Sequence, residues 1–381
     1  MRCTIPQPQL LKHLQRVEHA VNDRSTLPIL ANVLLEINEQ GLVLTTTDLD
    51  VGVRCQCPLT APFEQGAVAL PAKKLATIVR ELPEELVILE AKKNHTATLR
   101  CGSSDFRVPG LPPEDFPVLP AAQSVEGARL AQGALKVLVT RTAHAMSVEE
   151  TRFIFNGALL TTQKDSLTMV ATDGRRLAVA SAPLSKAPKL ALQAVIPSKT
   201  VRELGRLLQD EADDVAIGLL QENQLTFQCG PTTIVTRLIE GQFPAYEKVI
   251  PAPSKRTLVC NRLGLLNAIR RAGLMASATS QAVTFELEPN RLIISKESPE
   301  LGSAREELAV TYAGEPMTVA FNPEFWLDVL KILEAEDIRI ELAESDRRAV
   351  IRQPDFLYLV MPMAEERRAD ATAKAAVGAG T

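Results

Sequence analysis

The chain repeats itself three times, with a period the size of a whole domain. Three segments read as strand, proline, amphipathic helix: Ala69-Leu70-Pro71-Ala72-Lys73-Lys74-Leu75, Val195-Ile196-Pro197-Ser198-Lys199-Thr200-Val201 and Ala320-Phe321-Asn322-Pro323-Glu324-Phe325-Trp326. Their prolines fall 126 residues apart both times. Leu44-Thr45-Thr46-Thr47-Asp48 returns 125 residues later as Met169-Val170-Ala171-Thr172-Asp173, and Leu99-Arg100-Cys101-Gly102 returns as Phe227-Gln228-Cys229-Gly230. The first two repeats close on proline-rich aromatic stretches, Leu111-Pro112-Pro113-Glu114-Asp115-Phe116-Pro117 and Gly241-Gln242-Phe243-Pro244-Ala245-Tyr246. The third copy is weaker, with Ser295-Lys296-Glu297 where the others have Thr-Thr-Asp.

Such a period is far too long for a solenoid unit and suits a domain with its own core. The expected boundaries are 1–122, 123–252 and 253–364, followed by an Ala- and Gly-rich tail, 365–381, with no apolar periodicity and an expected lack of order. Within each repeat the pattern predicts a helix, two or more strands, a proline-started helix and further strands. The fold class that follows is α+β: three repeated domains, each with two helices packed on antiparallel sheet.

Charge separates by element. The first helix carries an apolar stripe, Leu10, Leu14, Val17 and Val21, and a second stripe of Lys12, Arg16 and His19. After Pro71, Leu75, Ile78, Val79 and Leu82 face a core while Lys73, Thr77 and Arg80 line the other side; after Pro197, Lys199, Arg202 and Arg206 recur at helical spacing. The third repeat opens on a helix with Arg262, Arg270 and Arg271 and no acid. Five predicted helices together hold +10 in a chain of net charge −4, and only the helix after Pro323 is acidic. A single basic helix face is ordinary solvation. Corresponding faces that are basic in repeat after repeat make a continuous surface suited to a polyanion, and Lys or Arg contacts to phosphate carry no sequence information. With one Trp and three Tyr, stacking platforms for single strands are scarce. Sequence-neutral contact with duplex backbone is the reading.

Other classes fall away. The six cysteines lack paired spacing and read as reduced packing residues, the four histidines are scattered, and no metal or cofactor is expected. No apolar run reaches the roughly 18 residues a membrane helix needs, and Met1-Arg2-Cys3-Thr4-Ile5-Pro6-Gln7 forms no signal peptide, so a cytoplasmic protein without membrane contact is expected. Thr47-Asp48 and Thr172-Asp173 invite a paired-carboxylate enzyme, but the repeat sets each in a separate domain. No dinucleotide loop, phosphate loop or nucleophile elbow is present.

Four motifs, in order on the threefold repeat, carry a family resemblance: Arg24-Ser25-Thr26-Leu27-Pro28-Ile29-Leu30, Ala171-Thr172-Asp173-Gly174-Arg175-Arg176-Leu177-Ala178, Gly241-Gln242-Phe243-Pro244 and Tyr358-Leu359-Val360-Met361-Pro362-Met363. From Met1 to about Met363 the chain resembles the bacterial sliding clamps, the beta subunits of the replicative DNA polymerase III holoenzyme. The resemblance implies the DNA-clamp fold in a ring-shaped head-to-tail homodimer, whose twelve helices line a hole holding duplex DNA. It implies a non-catalytic processivity factor that tethers the replicative polymerase catalytic subunit. The clamp loader, other polymerases and repair proteins would bind through short peptides. A specialised or inhibitor-resistant clamp copy acting mainly as a scaffold is the alternative.

Carried onto this sequence, the resemblance places Arg24 on a DNA-facing loop. Charge and spacing add Lys73, Lys74, Arg141, Arg152, Lys199, Arg202, Arg206, Arg270 and Arg271, with Glu149 and Glu150 unfavourable nearby. A peptide pocket is implied at Phe155, Thr172, Gly174, Arg175, Arg176, Leu177, Pro244, Lys248, Val249, Ser345, Arg348, Leu359, Val360, Met361, Pro362 and Met363. Leu177, Val360 and the methionines would form adaptable apolar walls and Arg176 would fix the peptide's polar end; alternatively the methionines belong to an ordinary buried last strand. The dimer joint is implied at an edge strand near 103–108, with Phe106 and Val108 meeting Leu274 and Met275, unless Phe106 is core. Three departures stand out: Arg175 where relatives often have His, charged Asp346-Arg347-Arg348 beside the pocket, and the tail beyond Met363.

Overall fold

The structure, a computed structural model, describes residues 1–22, 25–120, 127–188, 191–209, 213–220, 223–277, 280–342 and 348–363. Arg24, Ser345 and the tail named above lie outside the described residues. The chain folds as two compact units, one of 1–171 with 181–243 and one of 172–180 with the residues from 244 on.

Repeat one runs β1 (Arg2–Pro6), α1 (Gln7–Val17), β2 (Asn32–Asn38), β3 (Gly41–Thr47), β4 (Val51–Cys57), β5 (Gly66–Pro71), α2 (Ala72–Glu81), β6 (Leu86–Ala91), β7 (Thr96–Cys101) and β8 (Ser104–Pro109). Repeat two gives β9 (Ala128–Ala131), α3 (Gln132–Thr142), β10 (Gly157–Gln163), β11 (Ser166–Thr172), β12 (Arg176–Pro183), β13 (Gln193–Pro197), α4 (Ser198–Leu207), β14 (Asp214–Leu220), β15 (Gln224–Cys229) and β16 (Thr232–Arg237). Repeat three gives β17 (Thr257–Asn261), α5 (Arg262–Gly273), β18 (Val283–Glu288), β19 (Arg291–Ser298), β20 (Gly302–Ala309), the extra β21 (Thr311–Tyr312), β22 (Met317–Phe321), α6 (Pro323–Ile332), β23 (Asp337–Leu342), β24 (Ala349–Gln353) and β25 (Phe356–Val360). Each repeat is thus a doubled strand-helix-three-strand module. The short strand leading into each first helix was not expected; at four or five residues it leaves too little alternation to read.

In the first unit β1-β6-β7-β8 form one sheet, and β5-β2-β3-β4 continue through β16-β15-β14-β9 in another. Strands β13-β10-β11 neighbour one another in the same unit. In the second unit β12-β25-β24-β23-β17-β21 and β20-β19-β18-β22 are the sheet orders. The pairings described are all antiparallel.

The helices pair within repeats, α1 with α2, α3 with α4 and α5 with α6. Leu10, Leu14 and Val17 of α1 and Leu75, Ile78 and Val79 of α2 are buried, as their spacing predicts. Helix α1 stops at Val17, a turn before the expected stripe ends, because the Thr46 hydroxyl donates to the Val17 carbonyl at 2.7 Å; Val21 is nonetheless buried. Prolines start the helices in two ways. Pro6, Pro71 and Pro197 end a strand and hold φ between −56° and −61° at the corner, without a side-chain cap. In repeat three Asn322 Oδ1 caps α6 by accepting from Glu324 N at 2.9 Å, and Pro323 moves inside the first turn. Trp326 is core, its ring 5.7 Å from Phe285 and 5.5 Å from Phe321. Cys3, Cys55, Cys57, Cys101 and Cys260 are buried and unbridged. Burial pushes the Cys3 and Cys57 thiols up to about 11 and Cys260 up to about 12, which keeps them protonated and unreactive.

Candidate functional site

The repeated Thr-Asp pairs are turn-builders. Thr47 Oγ1 accepts from Leu49 N at 3.0 Å and donates to Val51 O at 3.1 Å, while Asp48 Oδ1 accepts from Asp50 N at 3.1 Å and Val51 N at 2.8 Å. In repeat two Thr172 Oγ1 accepts from Gly174 N at 3.0 Å and donates to Arg176 O at 2.6 Å, and Asp173 Oδ1 accepts from Arg175 N at 2.8 Å and Arg176 N at 3.0 Å. Side chains that can satisfy backbone donors two and three residues on make tight turns, and that is why the pair recurs. A local turn role leaves neither carboxylate poised for acid–base work. The third turn residue has φ +83° at Leu49 and +86° at Gly174.

Each turn leads into a strand that pairs with the last strand of the following repeat. At the first joint β4 lies against β16, with Val51 opposite Thr236, Gly52 opposite Val235 and Val53 opposite Ile234. At the second joint β12 lies against β25, with Arg176 opposite Val360, Leu177 opposite Leu359 and Ala178 opposite Tyr358. One further hydrogen bond extends both ladders identically: Arg237 N donates to Asp50 O at 2.9 Å, and Met361 N to Arg175 O at 2.8 Å.

Most of the residues expected to bind peptide gather at the second joint. Arg176 Nη1 lies 2.7 Å from Asp328 Oδ2 on α6, its Nε 3.1 Å from Asp173 Oδ2, and its guanidinium 4.4 Å from the Phe325 ring centre. Tyr358 packs beneath, donating its hydroxyl to Phe325 O at 2.8 Å; burial pushes its phenol well above the usual range. Arg176 therefore braces the hairpin against α6. Leu177, Leu359 and Val360, expected as open walls, are each no more than 2% exposed. Cross-strand packing takes them into the core, and half-buried Met361, Pro362 and Met363 supply the accessible apolar surface. Met363 N is held by Ala320 O at 2.8 Å, so the end of this surface is fixed. Arg175, Gly174, Pro244, Lys248 and Val249 are exposed, and Arg348 donates to Val249 O. Phe155 belongs to the other unit, where its ring meets Phe243 edge-on at 6.1 Å. A cleft of about 650 Å³ along β13, lined by Leu159, Val195, Ile239 and Phe243 among others, contains none of the expected peptide-binding residues.

The expected DNA-contacting cations divide in two. Lys73, Lys74, Arg202 and Arg270 are exposed on their helices, Arg152 is exposed with Glu149 at 4.0 Å, and Arg141 is half-buried. Lys199 instead reaches Asp48 and donates to Ala20 O at 3.1 Å, tying α4 to the first repeat's hairpin. Arg206 pairs with buried Glu203 at 2.5 Å, and Arg271 forks onto Glu306 of β20. Counting net charge along a helix hides such partners: Glu203 points inward although its helical position reads as solvent-facing.

At the expected dimer joint Phe106 is 38% exposed on β8, whereas Val108 is buried in its own sheet. Leu274, 69% exposed, and half-buried Met275 follow α5, which packs on β20. Both β8 and β20 close their sheets, with β7 and β19 as their respective neighbours.

Two outcomes follow from these turns. Leu49→Gly leaves the chain as stable or up to about 1 kcal/mol more stable, while Gly174→Leu costs about 1 kcal/mol, because only Gly tolerates positive φ without strain. Urea midpoints at unchanged slope are the measure. Asp328→Ala destabilises by about 1 kcal/mol and Arg176→Ala by about 2, the larger loss reflecting two carboxylates left without their cation.

Comparison with known proteins agrees with this geometry over almost the whole chain. Residues 1–120, 129–245 and 247–364 match the N-terminal, central and C-terminal domain models of the DNA polymerase III beta subunit. The chain is 34% identical to the beta sliding clamp of Pseudomonas putida over 368 residues, covering 95% of this chain and 100% of that one. It is 34% identical to the Escherichia coli clamp over 366 residues, with the same coverage. A crystal structure of the Pseudomonas aeruginosa clamp bound to griselimycin superposes with a TM-score of 0.90 at 34% identity, covering 96% of this chain and all of that one. The Bacillus subtilis clamp gives 0.89 at 29% identity, covering 96% and 99%. Three matched domains in order, on a chain whose hairpins and joints repeat in the same way, place it in the DNA polymerase III beta subunit family, the bacterial sliding clamps.

Proposed function

We propose that two copies of this chain close head to tail into a ring around duplex DNA, and that the ring holds polymerase and other partners through the second joint. The observation that carries this reading is the repeated strand pairing. The third strand of repeat one pairs with the last strand of repeat two, and the third strand of repeat two with the last strand of repeat three. The third strand of repeat three, β20, and the last strand of repeat one, β8, remain at sheet edges. A long edge strand invites a partner strand, and a head-to-tail contact that closes removes both edges at once. Aligned on the first joint, where Ile234 faces Val53, Phe106 of one copy comes opposite Ala304 of the other, with Leu274 alongside.

A ring needs little affinity for what it encloses, since escape requires a broken joint. Exposed Lys74, Arg202 and Arg270 supply interchangeable phosphate contacts that permit sliding without sequence preference. Arg175, Pro244, Lys248, Val249, Met361, Pro362 and Met363 offer a partner peptide an apolar floor with a cationic rim. The methionines adapt to different side chains. The reading calls for no catalysis and for work in the cytoplasm. Among the described residues no helix is long and apolar enough to cross a membrane.

The solution mass tests closure: the chain runs at twice 41.4 kDa, and Phe106→Asp with Leu274→Asp brings it to 41.4 kDa with melting unchanged. A double variant that stays dimeric would overturn the proposed joint. Equilibrium binding to linear duplex with free ends tests the inner face. Arg202→Ala lowers the slope of log K against log salt by about 0.9 for each phosphate that the variant leaves unneutralised. Lys199→Ala leaves that slope alone and costs about 2 kcal/mol of stability, since it strands the largely buried Asp48.

A further inference from the structure

The two joints share one frame but differ in what lies on it. Gly52 occupies the register of Leu177, Val235 that of Leu359, and Arg237 that of Met361. Beside Gly52 is a pocket of about 250 Å³ lined by Thr47, Leu49, Asp50, Val235, Arg237 and the linker residues 117–120, among others. The linker is steered there by the residue before it: Phe116 is buried with Ile29, Leu30, Leu34 and Ala69, which anchors the chain three residues upstream. Leu119 then lands on Gly52 so closely that a Cβ there would lie 2.5 Å from its Cδ2. Val118 between them is 95% exposed, and the atoms nearest to the missing Cβ of Gly52 are all from Leu119. At the second joint the residues after the corresponding Phe243-Pro244 turn into a short 3-10 helix, Tyr246–Val249, and Leu177 covers the strand where Gly52 leaves it bare.

We infer that the first joint is a second copy of the peptide pocket, occupied by the chain's own linker through Leu119. A short extended apolar peptide takes that seat when Leu119 is withdrawn. This rests on reading the second joint as a peptide site. A tethered segment competes at an effective concentration in the millimolar range, which masks the first joint from any weak external peptide. The absent Cβ at Gly52 is the specificity element, because it makes room on the strand for a branched apolar side chain.

The test uses the full chain and a synthetic peptide copying residues 116–120, FPVLP, followed by isothermal titration. Leu119→Ala binds one more equivalent per chain than the unmodified protein, at least about tenfold tighter than any binding the unmodified first joint shows. Adding Gly52→Leu to Leu119→Ala fills the seat and removes that equivalent. In the unmodified chain, millimolar peptide shifts the Leu119 methyl resonances, a readout that does not depend on either variant folding. An unchanged number of equivalents in Leu119→Ala, an extra equivalent that survives Gly52→Leu, or Leu119 methyl resonances that ignore the peptide would each overturn the inference. At micromolar peptide, where the tethered Leu119 masks the first joint, the equivalents bound by the unmodified chain report on the second joint, so a failure there is read separately from a failure here.

Discussion

Strand pairing between successive repeats is the constraint on which the rest of this structure depends. An antiparallel sheet that ends in a bare strand exposes a row of backbone donors and acceptors, and a repeated domain exposes the same row each time. Here the edges are satisfied by the next repeat, β4 by β16 and β12 by β25, in matching register down to the terminal hydrogen bonds from Arg237 and Met361. Among the strands that correspond to these four, β20 and β8 are the two left at a sheet end, with no strand of another repeat beside them among the described residues. On the proposed reading the chain carries its own instruction for assembly: β8 and β20 are complementary because the repeat makes them so, with exposed Phe106 on β8 and exposed Leu274 after α5 placed to meet there.

Electrostatics are layered onto that skeleton in two roles that composition does not distinguish. A cation whose carboxylate partner is fixed by the fold acts as a strut. Lys199 on Asp48 and Arg176 on Asp328 each span about 150 residues of sequence. Both bind a Thr-Asp hairpin to a helix, so the same turn that directs a strand into its joint also receives the charge that stiffens it. A cation with no such partner among the described residues, such as Lys74 or Arg202, stays solvated, and on the proposed reading it contributes when a phosphate approaches. Breaking a strut costs stability, whereas removing a solvated cation changes salt dependence.

Local and periodic features were legible before any coordinates. The domain-length repeat, the apolar stripes Leu10-Leu14-Val17 and Leu75-Ile78-Val79, the core position of Trp326 and the packing role of five of the six cysteines (Cys229 is half-buried) all depend on spacing along one segment. The leading strands β1, β9 and β17 were not legible, because a strand this short is defined by its partner rather than by its own alternation. Nor was the fate of individual charges. Glu203 reads as one more surface acid, yet it is buried and takes Arg206 with it. The apolar run Leu359-Val360-Met361 reads as one wall, but β25 is covered on both faces at Leu359 and Val360 and only the methionine end remains accessible. A family resemblance identifies which segments matter without saying which side chain of a segment faces out.

The divergence of the two joints shows how one turn is adapted to opposite ends. Repeat one places Leu49 in a left-handed conformation that repeat two gives to Gly174, and removes the side chain three residues later where repeat two keeps Leu177. Strain of this kind costs on the order of 1 kcal/mol and persists only where neighbouring contacts over-determine the backbone. Here the Thr47 and Asp48 hydrogen bonds supply that determination, so Leu49 can project its half-exposed side chain over the pocket that Leu119 enters. Glycine at 174 does the reverse, leaving the corresponding position at the second joint without a side chain. The same backbone therefore presents a covered seat at one joint and an uncovered turn at the other, and the difference is carried by which of two positions, three residues apart, holds the glycine.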